Sequence, residues 1–218
     1  MHKSISNLIE IEKEIHSKRL DLKPKVKIVV VTKTFSLENI LPLIEYGHTE
    51  YGENKVQEAI DKWSEIKFNN KKINLHMIGK LQSNKVKLAV SLFDYIHSLD
   101  SIKLARKISE EQKKIKKFLK LFVQVNIGKE NQKGGIMIDE LDKFYKTCID
   151  DLNLNIIGLM CIPPVDNDPS NYFEKIENAA SKLGLNNLSM GMSSDYLKAI
   201  KFNANFIRIG SKIFGKRN

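Results

Sequence analysis

No stretch of this sequence stays apolar for the roughly 20 residues a helix needs to cross a bilayer, so no membrane span is expected. The opening segment, MHKSISNLIEIEKEIHSKRL, mixes charged with apolar residues and lacks the apolar core of a secretory signal. It reads instead as an amphipathic helix, with Leu8, Ile11 and Ile15 on one face and Ile5 and Ile9 at its edge. There are only two cysteines, Cys148 and Cys161, and their spacing fits neither a metal site nor a disulfide framework. Both are read as free, buried thiols, and the expected compartment is the cytoplasm.

Pro/Gly/Ser-rich linkers and low-complexity blocks are also missing, which predicts one domain over 1–218. The net charge of +10 raises the question of a nucleic-acid partner. However, there is no Arg-rich segment, no zinc-finger spacing and no RNP-type aromatic motif. The basic residues are nearly all lysine, and their densest run, EEQKKIKKFLK at 110–120, reads as a solvated helix end leading into a strand. The expectation is therefore no nucleic-acid partner and no membrane partner.

What the chain does contain is an alternation. Strand-like runs fall at 26–33, 49–54, 73–79, 94–100, 121–127, 155–162, 187–193 and 205–211. The segments between them, such as LENILPLIEYG, KVQEAIDKWSEI and SNYFEKIENAASKLG, carry helical periodicity. Strand–helix alternation implies βαβ units and a parallel sheet. Eight strands are the number that closes a (β/α)8 TIM-type barrel, a fold of about 200–250 residues. The front helix is expected to take the place missing after the last strand. A doubly wound open sheet competes, but no G-x-G-x-x-G follows the first strand.

In such a barrel the active face lies at the C-terminal strand ends. VKIVVVTKTF (26–35) runs from β-branched residues into Lys33, either a snorkelling strand end or an amine aimed into a site. A lysine in a partly desolvated pocket has a lowered pKa and can form a Schiff base with an aldehyde. MGMSSD and RIGSKIFG place Ser193, Gly210 and Ser211 directly after the last two strands. They fit either a phosphate cradle of exposed N–H groups or an ordinary helix cap at Ser193. Arg208, inside the apolar run FIRI, needs a ligand or an ion-pair partner across the interior. An amine, an arginine and an anion cradle on one face match pyridoxal 5′-phosphate, whose aldehyde, ring nitrogen and phosphate need separate partners. His76 and His97 could point into the barrel, as core histidines or as acid–base groups. Trp63 is read as core.

The stretches VVVTKTF (29–35), YGENKVQE (51–58), LHMIGKLQSNK (75–85), VQVNIGKENQKGGI (123–136), IIGLMCIPP (156–164), LSMGMSSDYLKAI (188–200) and FIRIGSKIFG (206–215) follow one another along nearly the whole chain. In these the sequence closely resembles the pyridoxal phosphate homeostasis proteins, single-domain barrels similar to the N-terminal domain of alanine racemase. The resemblance implies that Lys33 carries the cofactor as a Schiff base and that Ser193, Gly210 and Ser211 help hold its phosphate. It implies that Arg208 faces the pyridine nitrogen, with Asn54 and Met160 lining the pocket near the ring. KGG at 133–135 stands where KSG is common, leaving Lys133 in place. The family is regarded as a cofactor carrier or regulator without established turnover. The expectations are accordingly a monomer, with a dimer as alternative, that delivers the cofactor to pyridoxal phosphate-dependent apoenzymes. The competing reading is an amino-acid racemase on the same cofactor. Such an enzyme needs a second acid–base group, supplied in two-domain relatives by the other domain or subunit, and the chain ends at Asn218 soon after the eighth strand.

Overall fold

The computed structural model of the chain describes residues 1–18, 25–130, 132–165 and 168–215. Arg19 and Leu20 of the opening segment, Asn131 of the stretch 123–136, and Asn218 lie outside the described residues. Among the described residues eight strands alternate with helices. The strands are β1 (Lys27–Val31), β2 (Glu50–Glu53), β3 (Asn74–Met77), β4 (Tyr95–Leu99), β5 (Lys120–Gln124), β6 (Ile156–Met160), β7 (Asn187–Met192) and β8 (Phe206–Ile209). The helices are α1 (Lys3–Lys18), α2 (Leu37–Glu45), α3 (Val56–Asn69), α4 (Val86–Leu92), α5 (Ile102–Ile115), α6 (Leu141–Lys146), α7 (Ser170–Lys182), α8 (Tyr196–Lys201) and α9 (Ser211–Phe214). Each strand pairs in parallel with the next, and β8 pairs with β1 to close the barrel. No helix among the described residues is long and apolar enough to cross a membrane.

Alternation along β1 shows how the barrel is filled. Ile28 and Val30 face outward into the layer shared with Leu8, Ile11 and Ile40, while Val29 points inward among Tyr95, Phe122, Met160 and Phe206. Both faces of the strand are thus covered, which explains why its sequence is a continuous apolar run rather than an alternating one. β6 has its own constraint: a Cβ on Gly158 would lie 2.0 Å from the Asn187 carbonyl oxygen, so only glycine lets β7 approach there.

Most elements fall where the periodicity placed them, and three differ. β1 stops at Val31 instead of reaching Lys33, because the chain turns at Thr34 (φ 68°). The helical segment between the fifth and sixth strands divides into α6 and a π-turn at Thr147–Asp151. A one-turn helix, α9, follows the last strand where none was foreseen. Because α9 is a single turn, α1 takes the outer-layer place after the last strand as expected, packing against α2, α8 and α9. Its Leu8, Ile11 and Ile15 are buried as expected. Polar contacts fix it as well: Asn7 Nδ2 donates to the Ile213 carbonyl at 2.9 Å, and Lys212 Nζ donates to Glu14 Oε2 at 2.7 Å. Tyr196 O–H also donates to Glu14. The front helix therefore braces the turns that follow β7 and β8.

Truncating Leu8, which is fully buried, to alanine should destabilise the fold by about 2–4 kcal/mol. Urea unfolding followed by circular dichroism would read this as a lower midpoint with an unchanged slope. A cost below about 0.5 kcal/mol, the usual range for surface changes, would mean that α1 is not part of the core.

Candidate functional site

Lys33 sits two residues beyond β1, half-buried, between neighbours that are both anchored to other elements. Thr32 is fully buried, and its N–H donates to the Gly52 carbonyl at 3.0 Å. Its hydroxyl donates to Glu53 Oε1 at 2.7 Å, and its own carbonyl accepts from Lys62 Nζ at 2.8 Å. Glu53 Oε1 also accepts from Lys62 Nζ and Trp63 Nε1, both at 2.9 Å, so Trp63 is both core and anchor. On the other side the Thr34 amide donates to Glu58 Oε1 at 2.6 Å. That bond holds a β-branched residue in the left-handed region, a conformation it adopts only where its surroundings impose it. Because Thr32 faces outward toward α3, strand alternation puts Lys33 on the inward phase at the rim. Phe35 then stacks on Phe214 of α9 with ring centres 4.4 Å apart, tying the Lys33 turn to the end of the chain after β8.

Arg208 lies on the inward phase of β8, level with Val29, and is buried. One terminal nitrogen donates to Ser189 Oγ at 2.7 Å and the other to the Cys161 carbonyl at 2.9 Å. Among the described residues no carboxylate stands within ion-pair distance of it, so the cross-barrel ion pair is not formed directly. Burial lowers its pKa from the usual arginine value. A guanidinium has five N–H donors, and these two bonds occupy two of them.

The turns after β7 and β8 adjoin each other. Gly191 (φ 92°) is required in the first, where a Cβ would sit 2.7 Å from Ala199 Cβ and 2.9 Å from Tyr196 Cα. Ser193 does not cap α8. The helix begins after Asp195, whose carboxylate accepts from the Met192 amide at 2.6 Å. Ser193 Oγ instead accepts from the Lys212 amide at 3.4 Å, which brings it beside Ser211 at the start of α9. Gly210 lies against Val31, where an added Cβ would find only ordinary contact at 3.4 Å. Met160 is fully buried among the interior apolar residues. Asn54 is half-buried at the end of β2, and its backbone approaches Gly79 too closely for any side chain there. The rim thus brings together Lys33, Gly210 and the Ser193–Ser211 turns, with Arg208 and Met160 below. Lys133 Nζ donates to the Pro163 carbonyl at 3.2 Å and so joins the loops after β5 and β6.

Beneath this rim is a polar interior that the sequence did not reveal. Glu50 Oε1 accepts from Lys27 Nζ at 3.0 Å and from Asn74 Nδ2 at 3.1 Å, and its Oε2 bonds His76 Nε2 at 2.7 Å. His76 Nδ1 bonds His97 Nε2 at 2.9 Å, and His97 Nδ1 bonds Ser189 Oγ at 2.7 Å. Burial alone would raise the Glu50 pKa, but its hydrogen bonds to His76 and Lys27 and the Lys27 charge outweigh it and hold it at about 2. Burial lowers both histidine pKa values, that of His97 strongly, with the neighbouring Arg208 charge adding to the effect on His97. Glu50 and Ser189 went unnoticed because each lies within a strand-like run. For Glu50 the available signal was its even spacing with Gly52 on the inward phase; for Ser189 the irregularity of β7 between Ser189 and Met192 left none. The two cysteines are free and buried, and burial pushes both thiols to about 12, so neither is a nucleophile at neutral pH.

The chain matches the family model of the alanine racemase N-terminal domain over residues 7–218. It is 34% identical to the pyridoxal phosphate homeostasis protein of Pasteurella multocida, over 97% of each chain. With the protein of the same name from Synechocystis the identity is 37%, covering 90% of this chain and 94% of the relative. Among solved structures, PipY of Synechococcus elongatus with pyridoxal phosphate bound superposes with a TM-score of 0.82 at 33% identity, covering 94% of this chain and all of PipY.

Groups with depressed pKa values in the fold make its stability fall on acidification. The histidine contribution is complete above about 6.5 and is lost as pH falls below it; that of Glu50 is complete above about 4.5 and is lost towards about 2. Urea midpoints measured from pH 8 down to pH 3 should decline continuously below pH 6.5. Glu50→Gln should be less stable at pH 7 and decline less steeply below pH 4.5. A Glu50→Gln curve parallel to that of the parent would refute the assignment of Glu50 as a buried, paired carboxylate.

Proposed function

The chain belongs to the pyridoxal phosphate homeostasis protein family, and on that premise we propose that it binds pyridoxal 5′-phosphate as a Schiff base on Lys33, buffering and delivering the cofactor without catalytic turnover. The observation that carries this reading is Arg208: a buried guanidinium with unused donors and no carboxylate at ion-pair distance among the described residues, below a rim that carries Lys33. The donor set fits the cofactor group by group. Lys33 supplies the amine, Arg208 the donors for a ring nitrogen, and the Ser193, Gly210 and Ser211 turns the N–H and hydroxyl groups for the phosphate. Asn54 and Met160 flank the ring. PipY, structurally similar over nearly the whole chain, has been solved with this cofactor bound.

Bound pyridoxal phosphate supplies a reactive aldehyde on an electron-withdrawing ring. The residues around it determine how that reactivity is used. Thr32 and Thr34 hold the Lys33 backbone from both sides, so its amine approaches from one direction. Arg208 only donates hydrogen bonds and keeps its proton at neutral pH, so a ring nitrogen facing it stays unprotonated and the ring is a weaker electron sink. The two interior histidines, which a racemase reading might recruit for proton transfer, are fully buried and bonded through both ring nitrogens. That supports the carrier reading over the racemase. We further take the chain to act as a single-domain cytoplasmic monomer that passes the cofactor to apoenzymes dependent on it.

Purified protein mixed with pyridoxal phosphate should develop visible absorption, and Lys33→Ala should lose it. Retained absorption in a folded Lys33→Ala variant would reject the lysine assignment. Gly210→Ala should fold normally, since its Cβ meets only ordinary contact, yet weaken cofactor binding about tenfold by crowding the phosphate turn. Equilibrium dialysis that finds unchanged affinity would exclude Gly210 from the phosphate site.

A further inference from the structure

The interior bonds between Arg208 and Glu50 admit one consistent assignment of protons. Glu50 is ionised and can only accept, so His76 Nε2 must be the donor in the 2.7 Å bond between them. A neutral His76 then has a bare Nδ1, which accepts from His97 Nε2 at 2.9 Å. A neutral His97 likewise has a bare Nδ1, which accepts the Ser189 hydroxyl proton at 2.7 Å. Ser189 Oγ thereby keeps its lone pairs for the Arg208 N–H at 2.7 Å. Every donor in the series meets an acceptor.

The alternatives fail at Ser189. If either histidine were an imidazolium, His97 Nδ1 would donate to Ser189. The serine proton would then have no acceptor among these groups, because Arg208 offers none. A third cation would also be buried between Lys27 and Arg208, where desolvation is most costly. Other groups facing the series are Tyr95, stacked on His76 at 4.3 Å, and Phe122, stacked on His97 at 4.3 Å. Lys120 and Lys27 both donate to the Tyr95 hydroxyl, Asp94 acts on His76 at longer range, and Asp195 and Cys161 act on Arg208.

We propose that Arg208, Ser189, His97, His76 and Glu50 form a one-way hydrogen-bond chain through the barrel, in which Ser189 and His97 are positioning residues that hold the Arg208 guanidinium against the ligand ring and Glu50, paired with Lys27, fixes the direction of the chain. The link to the ligand rests on the function proposed above; the chain itself does not. The bonds run in one direction only, so no member can take a proton from the ring without breaking the series.

Nitrogen-15 NMR of the histidines in protein without ligand tests the chain alone. His76 and His97 should both be neutral Nε2–H tautomers with bare Nδ1 atoms, unchanged from pH 8 to pH 5.5. An Nδ1–H tautomer or an imidazolium at either position at pH 7 would overturn the chain. The ligand arm compares Ser189→Ala with Ser189→Thr, which restores the hydroxyl. Ser189→Ala should bind pyridoxal phosphate about tenfold more weakly and shift the visible absorption maximum, and Ser189→Thr should recover both. Parent-like affinity and spectrum in Ser189→Ala would overturn the positioning role while leaving the carrier function standing. If the parent protein itself binds no pyridoxal phosphate, the function falls, and the tautomers still decide the chain.

Discussion

A positive charge buried inside the barrel at Arg208 is the constraint on which the rest of the interior depends. An unpaired guanidinium removed from water is costly, and a carboxylate in direct contact would neutralise its charge and occupy its donors. The interior avoids both outcomes. Ser189 and the Cys161 carbonyl take two of the donors directly. The interior carboxylate, Glu50, lies toward the opposite mouth of the barrel, where it pairs with Lys27. The aromatic rings of Tyr95, Phe122 and Phe206 enclose the path between them.

The rim above is built by fixing backbone instead of relying on side-chain packing alone. Glu53 lies outside the barrel wall, yet it sets the Lys33 turn by gathering Thr32, Lys62 and Trp63 onto one oxygen. α1 does the same for the turns after β7 and β8 through Glu14, Tyr196 and Lys212. Anchors of this kind keep the Lys33 turn and the turns after β7 and β8 at constant separation, as holding a ligand between them requires. The geometry suits holding a cofactor, and no second acid–base group at the rim is needed for that task.

Much of this was legible in the sequence. Period-two and period-3.6 patterns located every strand to within about three residues, and the small-residue runs marked the turns after β7 and β8. Lys33, Arg208 and Ser193 stood out because each is polar where its surroundings predict apolar residues or a strand end. The cross-strand pairings remained hidden. Glu50, His76, His97 and Ser189 come from four different strands, and nothing local shows that they face one another until the register is known. The role of Ser193 was also settled by a tertiary contact: its spacing allowed a cap, but the Lys212 amide claims its oxygen. The division of α6 from the π-turn after it and the one-turn α9 were likewise beyond periodicity, since both are shorter than a helical repeat can resolve.

Borohydride reduction of protein loaded with pyridoxal phosphate, followed by peptide mass spectrometry, locates the covalent attachment directly. The adduct should fall on Lys33 at close to one per chain. An adduct on any other lysine, or one scattered over several, would contradict the site on which the whole arrangement of Arg208 and the rim turns is centred.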